Sequence, residues 1–103
     1  MDLKALGESL GLDEDEFIEI VEIFIKSAAS DIKRLEDAFI AKNSEALSEA
    51  AHSLKGSAGN LGFTEISKLS ATIEDQARKE NISDLASSIP VLMSLLEGIK
   101  THI

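Results

Sequence analysis

Cysteine, tryptophan and tyrosine are all missing from this chain of 103 residues. Without cysteine there are no disulfide staples and no thiolate metal sites, so stability has to come from burial alone. Four phenylalanines supply all the aromatic bulk, which leaves Ile, Leu, Val and Ala to build the core and favours packed helices. Bases are scarce, 10 against 19 acids, for a net charge of −9. That balance argues against a nucleic-acid partner, whose phosphates would repel it. No apolar run approaches the roughly 18 residues of a membrane span, and the acidic N-terminus lacks a secretory pattern. These absences point to one domain over 1–103 with a single modest core, in the cytoplasm. The starting Met and the lack of a linker favour a free-standing chain, and nothing suggests a dimer.

The acids are unevenly spread. Residues 1–26 hold eight acids and two lysines, whereas 44–103 hold eight acids and five bases. The second half is the less repulsive place for an anionic group.

Apolar residues recur at helical spacing throughout. A short amphipathic helix or turn over 2–10 is closed by Gly11. Asp13 and Glu16 fit a capping box, with Leu12 and Phe17 as its hydrophobic staple. Phe17, Val21, Phe24, Ala28, Ile32, Leu35 and Phe39 then form one long stripe over 14–42. Ile18 and Ile25 lie off it and could receive the N-terminal segment. After Asn43 or Ser44 as cap, 44–61 carries Leu47, Ala50, Ala51, Leu54, Ala58 and Leu61 on one face. Thr64 is the expected cap of a helix over 64–80 with Ile66, Leu69, Ile73 and Ala77. The last, 83–102, shows Leu85, Ile89, Leu92, Leu96, Ile99 and Ile103, with Pro90 expected to kink it. Four stripes with short connections predict an all-α, antiparallel up-down four-helix bundle, preceded by the short N-terminal element.

The third segment contains Ala51-His52-Ser53-Leu54-Lys55-Gly56-Ser57-Ala58-Gly59-Asn60-Leu61-Gly62-Phe63. At about 100° per residue, His52 lies roughly 140° from the centre of its helix's apolar stripe. Gly56, Gly59, Ser48 and Glu45 fall within about 40° of it. Lys55 lies between His52 and the stripe, within reach as an i,i+3 neighbour. Each interior glycine costs a helix about 0.8–1 kcal/mol relative to alanine. Accepting two of them beside an exposed histidine is consistent with leaving room for another molecule. Taken singly, a surface histidine is usually just solvated and a helical glycine is usually a packing contact; the combination at this spacing is what stands out.

The run from His52 to Gly62 resembles the signature of histidine-containing phosphotransfer (HPt) domains, the phosphocarriers of two-component phosphorelays. It is also similar to the phosphoacceptor domain of chemotaxis kinases. The resemblance extends over nearly the whole chain. It implies that His52 is the phosphoacceptor through Nε2, that Lys55 helps neutralise the phosphoryl group, and that Gly56 keeps the approach clear. Gly59 and Ser48 would belong to the docking side. Glu74 matches a family position that contacts the histidine ring, where it would accept from Nδ1–H and leave the other nitrogen free; otherwise it is an ordinary solvated glutamate. The implied partners are response-regulator receiver domains and a sensor histidine kinase. No cofactor of its own is implied, Mg²⁺ being expected on the receiver.

Side-chain chemistry agrees with a carrier. Histidine as a residue type titrates near pH 6.5, so a neutral nucleophilic ring is available at pH 7. One exposed lysine stabilises a phosphoryl group by about a kcal/mol or less, which suits a group that must be given up again. No glycine-rich loop follows a strand, so nucleotide binding is not expected, nor intrinsic kinase activity. Glu49-x-x-His52 matches half of a di-iron helical motif, but the second element is missing and His52 points outward. A dimerising kinase core would place Glu and Pro where Ser53 and Gly56 stand. A hydrolase would need a partner better than Ser48 or Ser53. The remaining alternative is a helical adaptor that binds receivers without carrying phosphate. His102 has no motif around it and reads as solvated.

Overall fold

Helix follows helix through residues 3–103, the part of the chain that the computed structural model describes, and no strand occurs among them. The order is α1 (Leu3–Ser9), α2 (Glu14–Ile40), α3 (Ser44–Leu61), α4 (Thr64–Arg78), a 3₁₀ turn (Ser83–Ala86) and α5 (Ser88–Lys100). The expected 2–10 element is α1, whose anticipated first residue, position 2, lies outside the described residues.

Local chemistry sets the boundaries. Asp13 caps α2 by accepting from Glu16 N at 2.8 Å, and the Glu16 side chain accepts from Asp13 N at 3.2 Å, completing the capping box. Asn43 caps α3 by accepting from Ala46 N at 3.0 Å. Thr64 is not the cap of α4. Phe63 holds that position, and its ring lies in the core with its centroid 5.1 Å from that of Phe24. Gly62, at φ 83°, turns the chain between α3 and α4 in the left-handed region that glycine adopts without strain.

Three helices stop two residues earlier than the periodicity suggests, α5 at Lys100 instead of 102 and α2 and α4 for a common reason. Lys42 and Glu80 adopt φ of 55° and 58°. Beyond them, Asn43 N reaches Ala38 O and Asn81 N reaches Gln76 O, both at 2.9 Å. These six-to-one bonds end α2 at Ile40 and α4 at Arg78 instead of 42 and 80. The last expected helix is divided, not kinked. Proline cannot donate to the carbonyl four residues back, and it disfavours helical geometry in the residue before it. Pro90 accordingly sits in the first turn of α5, where a missing N–H leaves nothing unpaired. The segment ahead of it winds as a 3₁₀ turn that buries Leu85.

The stripes become one core. Phe17, Val21, Phe24, Ala28, Ile32 and Leu35 of α2 pack with Leu47, Ala50, Ala51, Leu54 and Ala58 of α3. Ile66, Ile73 and Ala77 of α4 and Ile89, Leu92, Leu96 and Ile99 of α5 complete it. Ala38 takes the buried place expected of Phe39, and Ile103 is exposed. Ile18 does face the N-terminal segment, lining a cleft with Leu3 and Gly7. Gly7 lies so close to Phe17 that a Cβ there would fall 2.9 Å from the ring. The helices touch in the cyclic order α2–α3, α3–α4, α4–α5 and α5–α2, with α3–α4 the most extensive contact. The molecule is 42 Å long and about 19 Å across, so the middle of α3 lies on a flank, far from either end.

Candidate functional site

His52 stands on the outer face of α3 with its side chain 65% exposed. On the side facing α4, its Nδ1 lies 2.8 Å from Glu74 Oε2. Glu74 is not solvated: it is buried, with 5% of its side chain accessible. Lys55 Nζ donates to Glu74 Oε1 at 2.6 Å, and Arg78 Nη2 donates to Oε2 at 2.8 Å. A carboxylate between three nitrogen donors is the most strongly connected polar group of the molecule's described part.

The hydrogen bond from Lys55 holds the Glu74 carboxyl below its ordinary titration range, against the opposing effect of burial. The His52 contact and the Arg78 charge lower it further. Glu74 is therefore an anion at neutral pH and can only accept. The proton in the 2.8 Å contact then belongs to His52 Nδ1, so in the neutral ring the lone pair is on Nε2. A neutral ring with a free Nε2 is a nucleophile awaiting an electrophile. The buried anion behind it also favours the cationic ring that forms when Nε2 is substituted.

The small residues separate into two roles. A Cβ built on Gly56 meets no atom within 4 Å, so the surface beside His52 is open there. A Cβ on Gly59 would meet Ser67 Oγ at 3.3 Å. Gly59 therefore also serves the close approach of α4, where Ser67 Oγ donates to Lys55 O at 3.1 Å. Ser48, one turn before His52, is half-buried. Lys55 is held on Glu74 rather than projecting freely.

Three contributors escaped the sequence. Arg78 could have been suspected from its i,i+4 spacing to Glu74. Asp31 occupies a core position of α2 in the 24, 28, 31, 35 series and is buried, with Ser53 Oγ donating to it at 3.0 Å. Ser53, exposed on α3, is thus a tether between α3 and α2. His102 Nδ1 lies 2.7 Å from Gly98 O, away from these groups. Among the described residues no cluster of three acids, histidines or cysteines is arranged to hold a metal, and no helix is long and apolar enough to cross a membrane.

The site is thus an exposed histidine on a helical scaffold, with one ring nitrogen held by a buried carboxylate. The Hpt domain family model matches residues 19–102, and the chain belongs to that family. It is similar to the phosphorelay intermediate protein YPD1 of Candida albicans, with 32% identity over 104 residues, covering 98% of this chain and 52% of that protein. The chain thus spans about half the length of the curated relative it matches. No solved structure gives a significant match.

Proposed function

We propose that this chain is a phosphorelay carrier. It accepts a phosphoryl group on His52 from a receiver-domain aspartate or a kinase and passes it to the aspartate of a response regulator. The observation that carries this reading is the 2.8 Å contact between His52 Nδ1 and the buried, ionised Glu74, which in the neutral ring reserves the lone pair for Nε2. In the accepting step, the Nε2 lone pair attacks the phosphorus of an aspartyl phosphate. The P–O bond to the aspartate breaks, and the aspartate leaves as a carboxylate. The ring becomes a phosphorylated imidazolium that keeps its Nδ1 proton on Glu74. Donation to the next aspartate reverses these steps, and the lone pair returns to Nε2.

Lys55 and Arg78 wait beside the acceptor on Glu74, and each can exchange that contact for a phosphoryl oxygen without leaving solvent. Gly56 gives the partner room. The chain brings no nucleotide-binding element, so it acts as a carrier and not as a kinase; Mg²⁺, held by the receiver's own acids, supplies charge neutralisation during transfer. The helices α2–α5, touching in a cycle and joined by short connections, support an antiparallel up-down four-helix bundle with α1 appended, working as one monomeric domain. YPD1 is named a phosphorelay intermediate, which agrees with this reading, and receiver domains and a sensor kinase are the partners it requires.

The test is transfer of label from a phosphorylated receiver, with parent and His52→Gln compared. Acid-labile label on the parent and none on the variant is expected. Equal label on both would exclude His52, and binding of the receiver without label on either would favour an adaptor. Lys55→Ala is expected to slow transfer with the helical content unchanged; an unaltered rate would remove its role.

A further inference from the structure

The chain has two arginines, Arg34 and Arg78. Among the described residues it has two buried charged side chains, Asp31 and Glu74. These four residues are matched one to one. Arg78 donates to Glu74, as described above, and Arg34 Nη1 donates to Asp31 Oδ1 at 3.2 Å. Each carboxylate also grips α3, Glu74 through His52 and Asp31 through Ser53. The gripped residues are consecutive. The acceptor turn is thus flanked by two ion pairs of the same build, one on α4 and one on α2. In each, the carboxylate is buried and the guanidinium is exposed, 52% for Arg34 and 65% for Arg78.

We propose that Arg34 is a docking residue, the α2 arm of a cationic bracket around His52 that receives the anionic face of the phosphoryl-bearing partner. The inference rests on the carrier reading, in which that partner presents an aspartyl phosphate.

Several observations support the assignment. At about 100° per residue, Ser53 lies on the α2 side of His52 and Gly56 lies between them, roughly 40° from the histidine. The space that Gly56 leaves open is therefore on the α2 side of the histidine and not on the α4 side. Arg34 Nη1 is within about 8 Å of Ser53 Oγ, the most that two hydrogen bonds and the width of one carboxylate permit. A standard protein interface of about 800 Å² per partner is a disc of roughly 16 Å radius, so a partner centred on His52 covers Arg34 as well. The pair also has direction. Its negative end is buried and its positive end faces water, so an approaching anion meets the guanidinium first. Anchoring by Asp31 restricts the side chain before the partner arrives, which lowers the ordering penalty on binding. The net charge of −9 opposes an anionic partner overall, so local cations have to offset it. Glu45 and Glu49 are exposed earlier on the same helix.

The charge of a residue at an interface edge acts mainly on the association rate and its salt dependence. Transfer is measured at varied carrier concentration from the phosphorylated receiver that loads the parent fastest in a panel, at low and at high ionic strength. For Arg34→Gln, a roughly threefold to tenfold lower kcat/KM is expected at low salt, converging on the parent at high salt. Arg34→Lys keeps the charge and is expected to retain most of the rate. Glutamine can still donate to Asp31, so thermal unfolding of each variant reports any damage to the anchor separately. A parent-like kcat/KM for Arg34→Gln at low salt overturns the proposal. So does an equal defect in both variants that persists at high salt, because that pattern belongs to a structural role. If no receiver in the panel labels His52 of the parent, the carrier reading itself falls, an outcome distinct from both.

Discussion

His52 Nδ1 and Glu74 Oε2 lie 2.8 Å apart across 22 positions of sequence, one exposed on α3 and the other buried under it on α4. The pairing fixes which ring nitrogen keeps the proton. It also ties the reactivity of the site to the ionisation of one carboxylate.

That tie has a pH signature. The folded state lowers the Glu74 pKa below its ordinary value of 4.5, chiefly through the hydrogen bond from Lys55. A depressed carboxyl contributes its stability in full above the unfolded pKa and loses it as pH falls through the folded one. Urea unfolding of the parent and of Glu74→Gln should therefore differ by about 1–3 kcal/mol near pH 7. The difference is expected to shrink steadily as pH drops below 4.5. A difference that stays constant down to pH 3 would show that Glu74 stabilises by packing and not by charge.

Gly56 and Gly59 should respond differently to alanine. Gly56→Ala adds a methyl into open space and is expected to gain up to about 1 kcal/mol of helix propensity. Gly59→Ala must push Ser67 Oγ away from a 3.3 Å contact, so its gain is expected to be smaller or negative. Thermal melts of the two variants decide the matter, and equal shifts would contradict the assignment of Gly59 to the α3–α4 contact.

Ser70 is fully buried on α4, and its Oγ has no hydrogen-bond partner. Burying an unsatisfied hydroxyl is unfavourable by about 1–3 kcal/mol, so Ser70→Ala should be neutral or stabilising by up to about that amount. Measured destabilisation would mean that the hydroxyl finds a partner, such as the carbonyl one turn back.

Much of this architecture was legible because helical burial is a periodic property. The α2 stripe, the Asp13–Glu16 box and the span Ser44–Leu61 needed nothing beyond spacing and cap chemistry. What spacing could not supply was the end of α2 and of α4. Lys42 and Glu80 take a left-handed conformation that glycine usually fills, so nothing at those positions signalled a stop. Pro90 signals an interruption, but whether proline kinks a helix, as its position suggests, or falls in the first turn of one, as it does, depends on how much helix can form before it. The site was legible in part for the same reason. His52, Lys55 and Gly56 share one helix and one motif, whereas Asp31, Arg34 and Arg78 join them through tertiary contacts. Their local traces were a carboxylate at a position of α2 where a hydrophobic residue was due, and the short helical spacing of each arginine to its carboxylate.

The turn at Gly62 and Phe63 carries a last consequence, one for folding. It joins the helix of the nucleophile directly to the helix of its buried partner, so everything from His52 to Arg78 belongs to one helical hairpin. Closing so short a connection removes little chain entropy, and contacts between sequence neighbours form early. The half of the molecule that holds the site is in this sense topologically local, and the distant segments α2 and α5 complete a core against a hairpin in which His52 and Glu74 are already neighbours.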